Sequence, residues 1–324
     1  MCCKVFHSLY KSENLWYNIY SLFYKISGLR RSMIYSIEND CLKISVNSAG
    51  AQLWSMYSKK TQTEYLWQGD PAYWTGRAYN LFPFIGRMYE GKYLSRGEEY
   101  SIRIHGVARY NEFTLESQTA DTLTFLLTDN EETRKEYPYV FAFRAIFKLC
   151  GSKLKVSYKV TNNGDDTLYC GFGGHPGINV PFGKGVFEEY YLDFGEKTNV
   201  EQQLLVTGGY MADKSVPYAL KDGVKLPLKH ELFDEDAVIL GNTSGYVAIR
   251  CDKEERYVSM EFSDFPYIGF WHMAKKDAPY VCLEPWSVLP ASNGKKDEIE
   301  SKAGMTNVAP NMTEGVSYTL EIHE

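Results

Sequence analysis

From Met33 onward the chain is written in short runs that place an apolar residue at every second position, and that period constrains the fold more than any other feature. Ile34 to Val46 alternates in this way. The same alternating, β-branched or aromatic character returns at Glu98 to His105, Glu112 to Gln118, Thr122 to Thr128, Val140 to Leu149, Lys153 to Thr161, Thr167 to Gly171, Tyr246 to Cys251, Tyr257 to Phe262 and Ser317 to Ile322. Successive side chains of an extended strand point to opposite faces, so each run offers one apolar face to a core and one polar face to water. Turn signals such as Cys150-Gly151-Ser152 and Asn163-Gly164-Asp165-Asp166 separate the runs. Helical spacing is scarce: Glu131 to Tyr137, stopped by Pro138, predicts a turn or two, and Asp297 to Ala303 predicts another. No strand–helix–strand alternation is present, which argues against a parallel doubly wound sheet. The expectation is an all-β protein, a single large antiparallel β-sandwich, with long loops at Trp67 to Gly91, Pro176 to Val186, Leu204 to Asp236 and Trp286 to Thr313.

With 324 residues, 44% of them hydrophobic, the chain can bury one large core, assigned to residues 33–324. Residues 1–32 read as an extension outside it. They mix aromatics with Lys, Glu, Asn and Ser, lack the compact apolar block of a secretory signal, and fit at most a weakly amphipathic helix from Leu15 to Ile26. A net charge of −6 argues against nucleic acid or an anionic membrane as partner. No run approaches the roughly 18 apolar residues of a membrane-spanning helix. The seven cysteines form no Cys-x-x-Cys pair and no cluster with histidine, so they predict neither a metal site nor a disulfide framework. Free, mostly buried thiols, with Cys150, Cys170 and Cys282 inside apolar runs, fit a reducing compartment, and the expected location is the cytoplasm.

Two segments carry the chemistry. In Gly173-Gly174-His175-Pro176-Gly177 and in Leu283-Glu284-Pro285-Trp286, a side chain able to move a proton stands directly before a proline, which biases its backbone toward an extended conformation. Both groups are expected at strand ends, an acid and a base facing each other across a ligand. Glycines on both sides of His175 leave its imidazole unobstructed, and its ordinary pKa of about 6.5 suits proton exchange near neutrality. The apolar run Tyr280 to Leu283 delivers Glu284 into a buried place, where a carboxylate is costly unless it has a partner or a task.

Further candidates surround that pair. The segment Asn80-Leu81-Phe82-Pro83-Phe84-Ile85-Gly86-Arg87 is dense in proline, glycine and aromatics, and Arg87 after Gly86 can present its guanidinium fork to hydroxyl oxygens. His105 precedes Gly106, whose missing side chain would let a ligand approach the backbone. His7, His230 and His323 read as surface or internally satisfied histidines, and His272 beside Trp271 is open to either reading. No phosphate-binding loop, dinucleotide glycine motif, His-Glu-x-x-His or Gly-x-Ser-x-Gly elbow is present, which leaves acid–base chemistry without cofactor or metal.

In this order, Glu64 to Asp70, Asn80-Leu81-Phe82-Pro83, Gly86-Arg87, His105-Gly106, Gly173-Gly174-His175-Pro176, Leu232 to Ala237 and Leu283-Glu284-Pro285-Trp286 resemble the aldose 1-epimerase (galactose mutarotase-like) family, in its LacX-type branch. The resemblance runs from about Met33 to the C-terminus. It implies a β-supersandwich that interconverts the α and β anomers of a hexose. It also implies that His175 is the general acid at the ring oxygen and Glu284 the general base at the anomeric hydroxyl. Arg87, His105 and either Asp236 or Asp234 would bind the sugar, Asn80 would satisfy a hydroxyl, and Trp286 with Trp271 would wall its C–H face. Three places depart from the branch: Gly177-Ile178 after His175-Pro176, Val107 after His105-Gly106, and Ser287-Val288 after Trp286. They motivate an alternative, a sugar-binding or sensing protein without turnover. Arg77, Arg87 and Arg109 motivate another, an epimerase of hexose 6-phosphates.

Overall fold

The computed structural model describes residues 32–324, so the helix expected at Leu15 to Ile26 lies outside the described residues. From Ile34 to Glu324 the chain forms one compact unit. Its two large sheets have nine and seven strands, and a smaller four-stranded sheet, Ile34–Glu38, Leu42–Asn47, Gln52–Ser58 and Thr63–Glu64, stands beside them. Every strand pairing within the two large sheets is antiparallel, so the expected architecture holds. The nine-stranded sheet centres on Phe141–Cys150, Lys153–Asn162 and Thr313–His323. The seven-stranded sheet runs in the order Tyr210–Pro217, Glu201–Val206, Val238–Gly241, Tyr267–Trp271, Tyr280–Trp286, Gly173–Asn179 and Ala78–Leu81.

Strand alternation assigns the two faces of the seven-stranded sheet. Leu81 aside, one face sends Asn80, Ile178, Leu240, Ile268, Phe270, Val281 and Leu283 toward the nine-stranded sheet, and the apolar members join Val156, Tyr158, Val258 and Met260 in one buried cluster. The opposite face carries Tyr79, His175, Ile239, Trp271, Glu284 and Trp286, all of which line a cavity. Side-chain period 2 therefore sorts core from site along every strand.

Several local expectations are revised. Glu131–Glu136 is helical, capped by Asn130 through a reciprocal capping box with Thr133. Asp297 to Ala303 forms turns and an isolated bridge from Glu298 to Leu94 instead of a helix, because residues 297 and 299 are tied by main-chain bonds to Leu94. The supposed loop from Leu204 contains a hairpin, Glu201–Val206 with Tyr210–Pro217, whose half-exposed residues hide the alternation. Cys150 ends a strand in solvent, whereas Cys170, Cys251 and Cys282 are buried.

Candidate active site

His175 and Glu284 lie in the interiors of their strands, Gly173–Asn179 and Tyr280–Trp286, rather than at their ends. The two strands pair antiparallel, Gly173 with Trp286 and Gly177 with Cys282, and this register sets His175 directly opposite Glu284. Between those pairs the ladder is interrupted. Pro176 and Pro285 fall in the gap, and neither can donate a main-chain N–H. On the outer sides His175 pairs with Tyr79, and Glu284 pairs with Gly269, which pairs in turn with Ile239. One row thus crosses the sheet: Ile239, Gly269, Glu284, His175, Tyr79. Gly269 supplies no side chain to that row, and a Cβ there would come 3.1 Å from the Trp286 ring.

The His175 Nε2 is 3.3 Å from Glu284 Oε1, and the two side chains are 8% and 2% exposed. They stand side by side in direct contact, so they cannot enclose a ligand between them. Burial disfavours the charge on each group. It pushes Glu284 well above the usual carboxylate range, with Asp236 adding to the rise. It pulls His175 down to about 3, with the Arg109 guanidinium acting the same way. The Trp286 indole N–H favours the carboxylate without reaching hydrogen-bond geometry. Burial therefore favours the form of the pair in which neither group is charged.

The cavity has a volume of about 540 Å³, and its lining includes Arg87, His105, Arg109, Asp234, Glu235, Asp236, Trp271 and Trp286 beside the central pair. Gly86 donates its N–H to His105 Nδ1 at 3.1 Å, and the His105 N–H donates to Gly86 O at 2.8 Å. Nδ1 is thereby an acceptor, so neutral His105 carries its proton on Nε2 as a fixed donor. Burial and the neighbouring His175, Arg109 and Arg87 keep His105 well below its ordinary pKa. Asp236 adopts φ 104 and accepts from the Ala237 N–H at 2.8 Å. A Cβ on Gly209 would lie 3.0 Å from Asp236 Oδ2 and 3.8 Å from Arg87 Nε, so Gly209 is the bare spot over which acid and guanidinium converge. Asp234 also lines the cavity, but its Oδ1 is taken by the Lys275 N–H; Asp236 is the better placed of the two.

Asn80 does not reach this space. It shares a strand with Tyr79, and period 2 turns it to the core face. There its Nδ2 donates to Gly50 O at 2.8 Å and Ala51 O at 2.7 Å, and its Oδ1 accepts from the Tyr158 hydroxyl at 2.8 Å. The glycine after His105 is likewise structural: a Cβ on Gly106 would sit 2.3 Å from the Phe82 carbonyl oxygen. Arg77 stacks on Trp54 and donates to Trp54 O and Gln68 Oε1, which withdraws it from any anion site. Arg109, which the sequence offered only as one of three arginines for a phosphate, lines the cavity, and its guanidinium stacks 3.7 Å above the Tyr79 ring at the wall. Trp74 lines the cavity as well.

Among the described residues one set could approach a metal ion: His175, Cys282 and Glu284 offer ligand atoms within 4.8 Å of one another. Two of those donors are already engaged with each other, and burial holds the Cys282 thiol in its protonated form.

Comparison with known proteins accords with this arrangement. The aldose 1-epimerase family model matches residues 33–318. The chain belongs to the aldose 1-epimerase family. Membership makes it an isomerase acting on carbohydrates. It is 33% identical over 300 residues to Protein LacX, plasmid, of Lactococcus lactis subsp. lactis, covering 90% of this chain and 99% of that protein. A galactose mutarotase related enzyme from Lactobacillus acidophilus is 33% identical with a TM-score of 0.83, covering 90% of this chain and 98% of that one. A galactose mutarotase-like protein from Lactobacillus casei, 27% identical, gives a TM-score of 0.84 over 90% of this chain and all of its own, 100%. No helix among the described residues is long and apolar enough to cross a membrane.

Proposed function

We propose that this aldose 1-epimerase interconverts the α and β anomers of an unphosphorylated hexose, with His175 and Glu284 exchanging protons with the sugar. The observation that carries the reading is the buried contact of 3.3 Å between His175 Nε2 and Glu284 Oε1 at the wall of a sugar-sized cavity. The anomeric hydroxyl and the ring oxygen are bonded to the same carbon. Two neighbouring groups on one side of the sugar can therefore reach both, which suits a side-by-side pair.

Glu284 takes the proton of the anomeric hydroxyl while His175 protonates the ring oxygen. The C1–O bond of the ring breaks, leaving an open-chain aldehyde. Rotation about C1–C2 presents the other face of the carbonyl, and reversing both transfers closes the opposite anomer. Ring opening converts an ionised pair, imidazolium and carboxylate, into a neutral one. Burial favours the neutral pair, so arming the pair by moving its proton from Glu284 to His175 costs free energy that ring opening returns. Arg87, His105 and Asp236 bind the remaining hydroxyls, and Trp271 and Trp286 face the apolar side of the ring.

A neutral sugar is favoured because Asp234, Glu235 and Asp236 outnumber Arg87 and Arg109 in the lining, which disfavours a phosphate dianion. The three departures from the branch leave His175, Glu284, Arg87 and His105 in place: Val107 is buried in the core, and Ser287 accepts the Phe172 N–H. Glu284→Gln keeps shape and burial while removing the base. Equilibration of fresh α-galactose or α-glucose, followed by polarimetry, should slow by about a hundred- to ten-thousand-fold in that variant. A near-wild-type rate in folded Glu284→Gln removes the carboxylate from the reaction.

A further inference from the structure

The imidazole of His175 lacks the usual means of being held. A catalytic histidine is ordinarily oriented by a hydrogen bond at the ring nitrogen that does no chemistry. Here Nδ1 is buried and has no hydrogen-bond partner among the described residues. Something else must stop the ring turning about its Cβ–Cγ bond and carrying Nε2 away from Glu284.

Trp74 has the geometry for that task. Its ring stacks on the imidazole with centroids 4.9 Å apart and planes 27° from parallel. Trp74 is itself clamped. Its carbonyl accepts from the Trp67 indole N–H at 2.8 Å, its N–H donates to Asp70 O, and Trp271 and Tyr79 meet its ring edge-on. Two glycines make the room: a Cβ on Gly76 would lie 2.5 Å from both the Trp74 and Tyr79 rings, and one on Gly177 would lie 3.3 Å from Trp74. Gly177 is one of the positions at which the sequence departs from its branch, and it faces the same side of its strand as His175.

We propose that Trp74 is a positioning residue for His175, its ring plane replacing the missing hydrogen bond at Nδ1 in fixing the direction of Nε2. The inference rests on the acid–base reading of the pair, and a structural readout separates the two. Trp74→Leu keeps apolar bulk without a ring plane, and Trp74→Phe restores a plane. Trp74→Leu should lose about tenfold to a hundredfold in kcat with KM changed less than about threefold, because misdirection of a catalytic group lowers the chemical step. Trp74→Phe should recover most of that loss. In ¹⁵N-histidine NMR, the His175 ring nitrogens should report one tautomer in the wild type and in Trp74→Phe, and an averaged mixture in Trp74→Leu. Should Trp74→Leu not fold, the same ring signals in Trp74→Phe and Trp74→Tyr decide, since each must still show a single tautomer. Unchanged kcat, a loss confined to KM, or unaltered imidazole signals in Trp74→Leu would overturn the assignment. The NMR arm does not depend on turnover, so it stands or fails apart from the Glu284→Gln result.

Discussion

Replacing Asn80 by Ala separates structure from sugar binding at the position where the motif and the fold disagree. The side chain is 2% exposed and makes three hydrogen bonds, to Gly50 O, Ala51 O and the Tyr158 hydroxyl. At a net value of about 1 kcal/mol each, their loss amounts to about 3 kcal/mol, and the two stranded carbonyls push the figure upward because a buried acceptor without a partner keeps its desolvation cost. Unfolding entropy of about 2.1 cal/mol/K per residue over a unit of roughly 290 residues gives about 0.6 kcal/mol/K. The expected drop in melting temperature is therefore about 5 °C. Tyr158→Phe removes one of the three bonds and should cost about 1 kcal/mol, and the double variant should cost less than the sum, since the two residues share that bond. Calorimetry and polarimetry on the same samples check this. A tenfold or larger fall in kcat/KM for Asn80→Ala, with an unchanged melting temperature, would refute the structural assignment and return Asn80 to the sugar.

Three further outcomes are expected. The pH profile of kcat/KM should be a broad bell, because the working pair carries one proton: burial moves the uptake of a second proton below the ordinary histidine value and the loss of the last one above the ordinary carboxylate value, so an acid limb centred near pH 6.5 would contradict it. Stability should also respond to acid through His175. Its folded pKa, about 3, lies below the unfolded value, so its contribution is present above about pH 6.5 and is lost as pH falls toward 3; His175→Gln should flatten the decline seen by chemical denaturation between about pH 6 and 4, where each pH unit is worth at most about 1.4 kcal/mol. Gly86→Ala places a Cβ 2.6 Å from Pro290 Cγ at φ +62, which displaces both Arg87 and the His105 partner bond; kcat/KM should fall by about tenfold or more, measured against the wild type in the anomer-exchange assay.

How far the fold was legible depended on exposure. Strands with one face in water, such as Thr122–Thr128 and Lys153–Asn162, show clean alternation in their burial and were read almost residue for residue. The strands that carry the site were harder. Tyr280–Trp286 is buried on both faces, so its apolar run has no period, and Gly173–Asn179 contains two adjacent glycines and a proline that read as a turn. The hairpin at Glu201–Val206 is half-exposed throughout and gives no contrast between faces. Within the site, His175, Glu284, Arg87, His105 and Trp286 come to one cavity and stand in local contexts that sequence displays, whereas Asp234 and Asp236 both line it and sequence does not choose between them. Asn80 was misplaced because a motif records which residues occur together and not which side of a strand they face. One step along the strand separates Tyr79 at the cavity from Asn80 in the core.

The prolines beside the two proton-moving residues have a physical role that follows from register. An uninterrupted antiparallel ladder between Gly173–Asn179 and Tyr280–Trp286 would draw the backbones of His175 and Glu284 together by regular bonds, and the sheet would be rigid but closed at that row. Pro176 and Pro285 each remove a donor, and the pairing lapses between Gly173–Trp286 and Gly177–Cys282. The flanking pairs still fix the register, so the imidazole stays opposite the carboxyl. The strands on either side, Ala78–Leu81 and Tyr267–Trp271, keep their own pairings with the row and hold the gap in place. A buried acid–base pair needs fixed partners and some freedom for the side chains between them to trade a proton with a third molecule. Anchoring the register at both ends while omitting the bonds in the middle meets both requirements, and it explains why this chemistry sits in the interior of a sheet instead of on a loop.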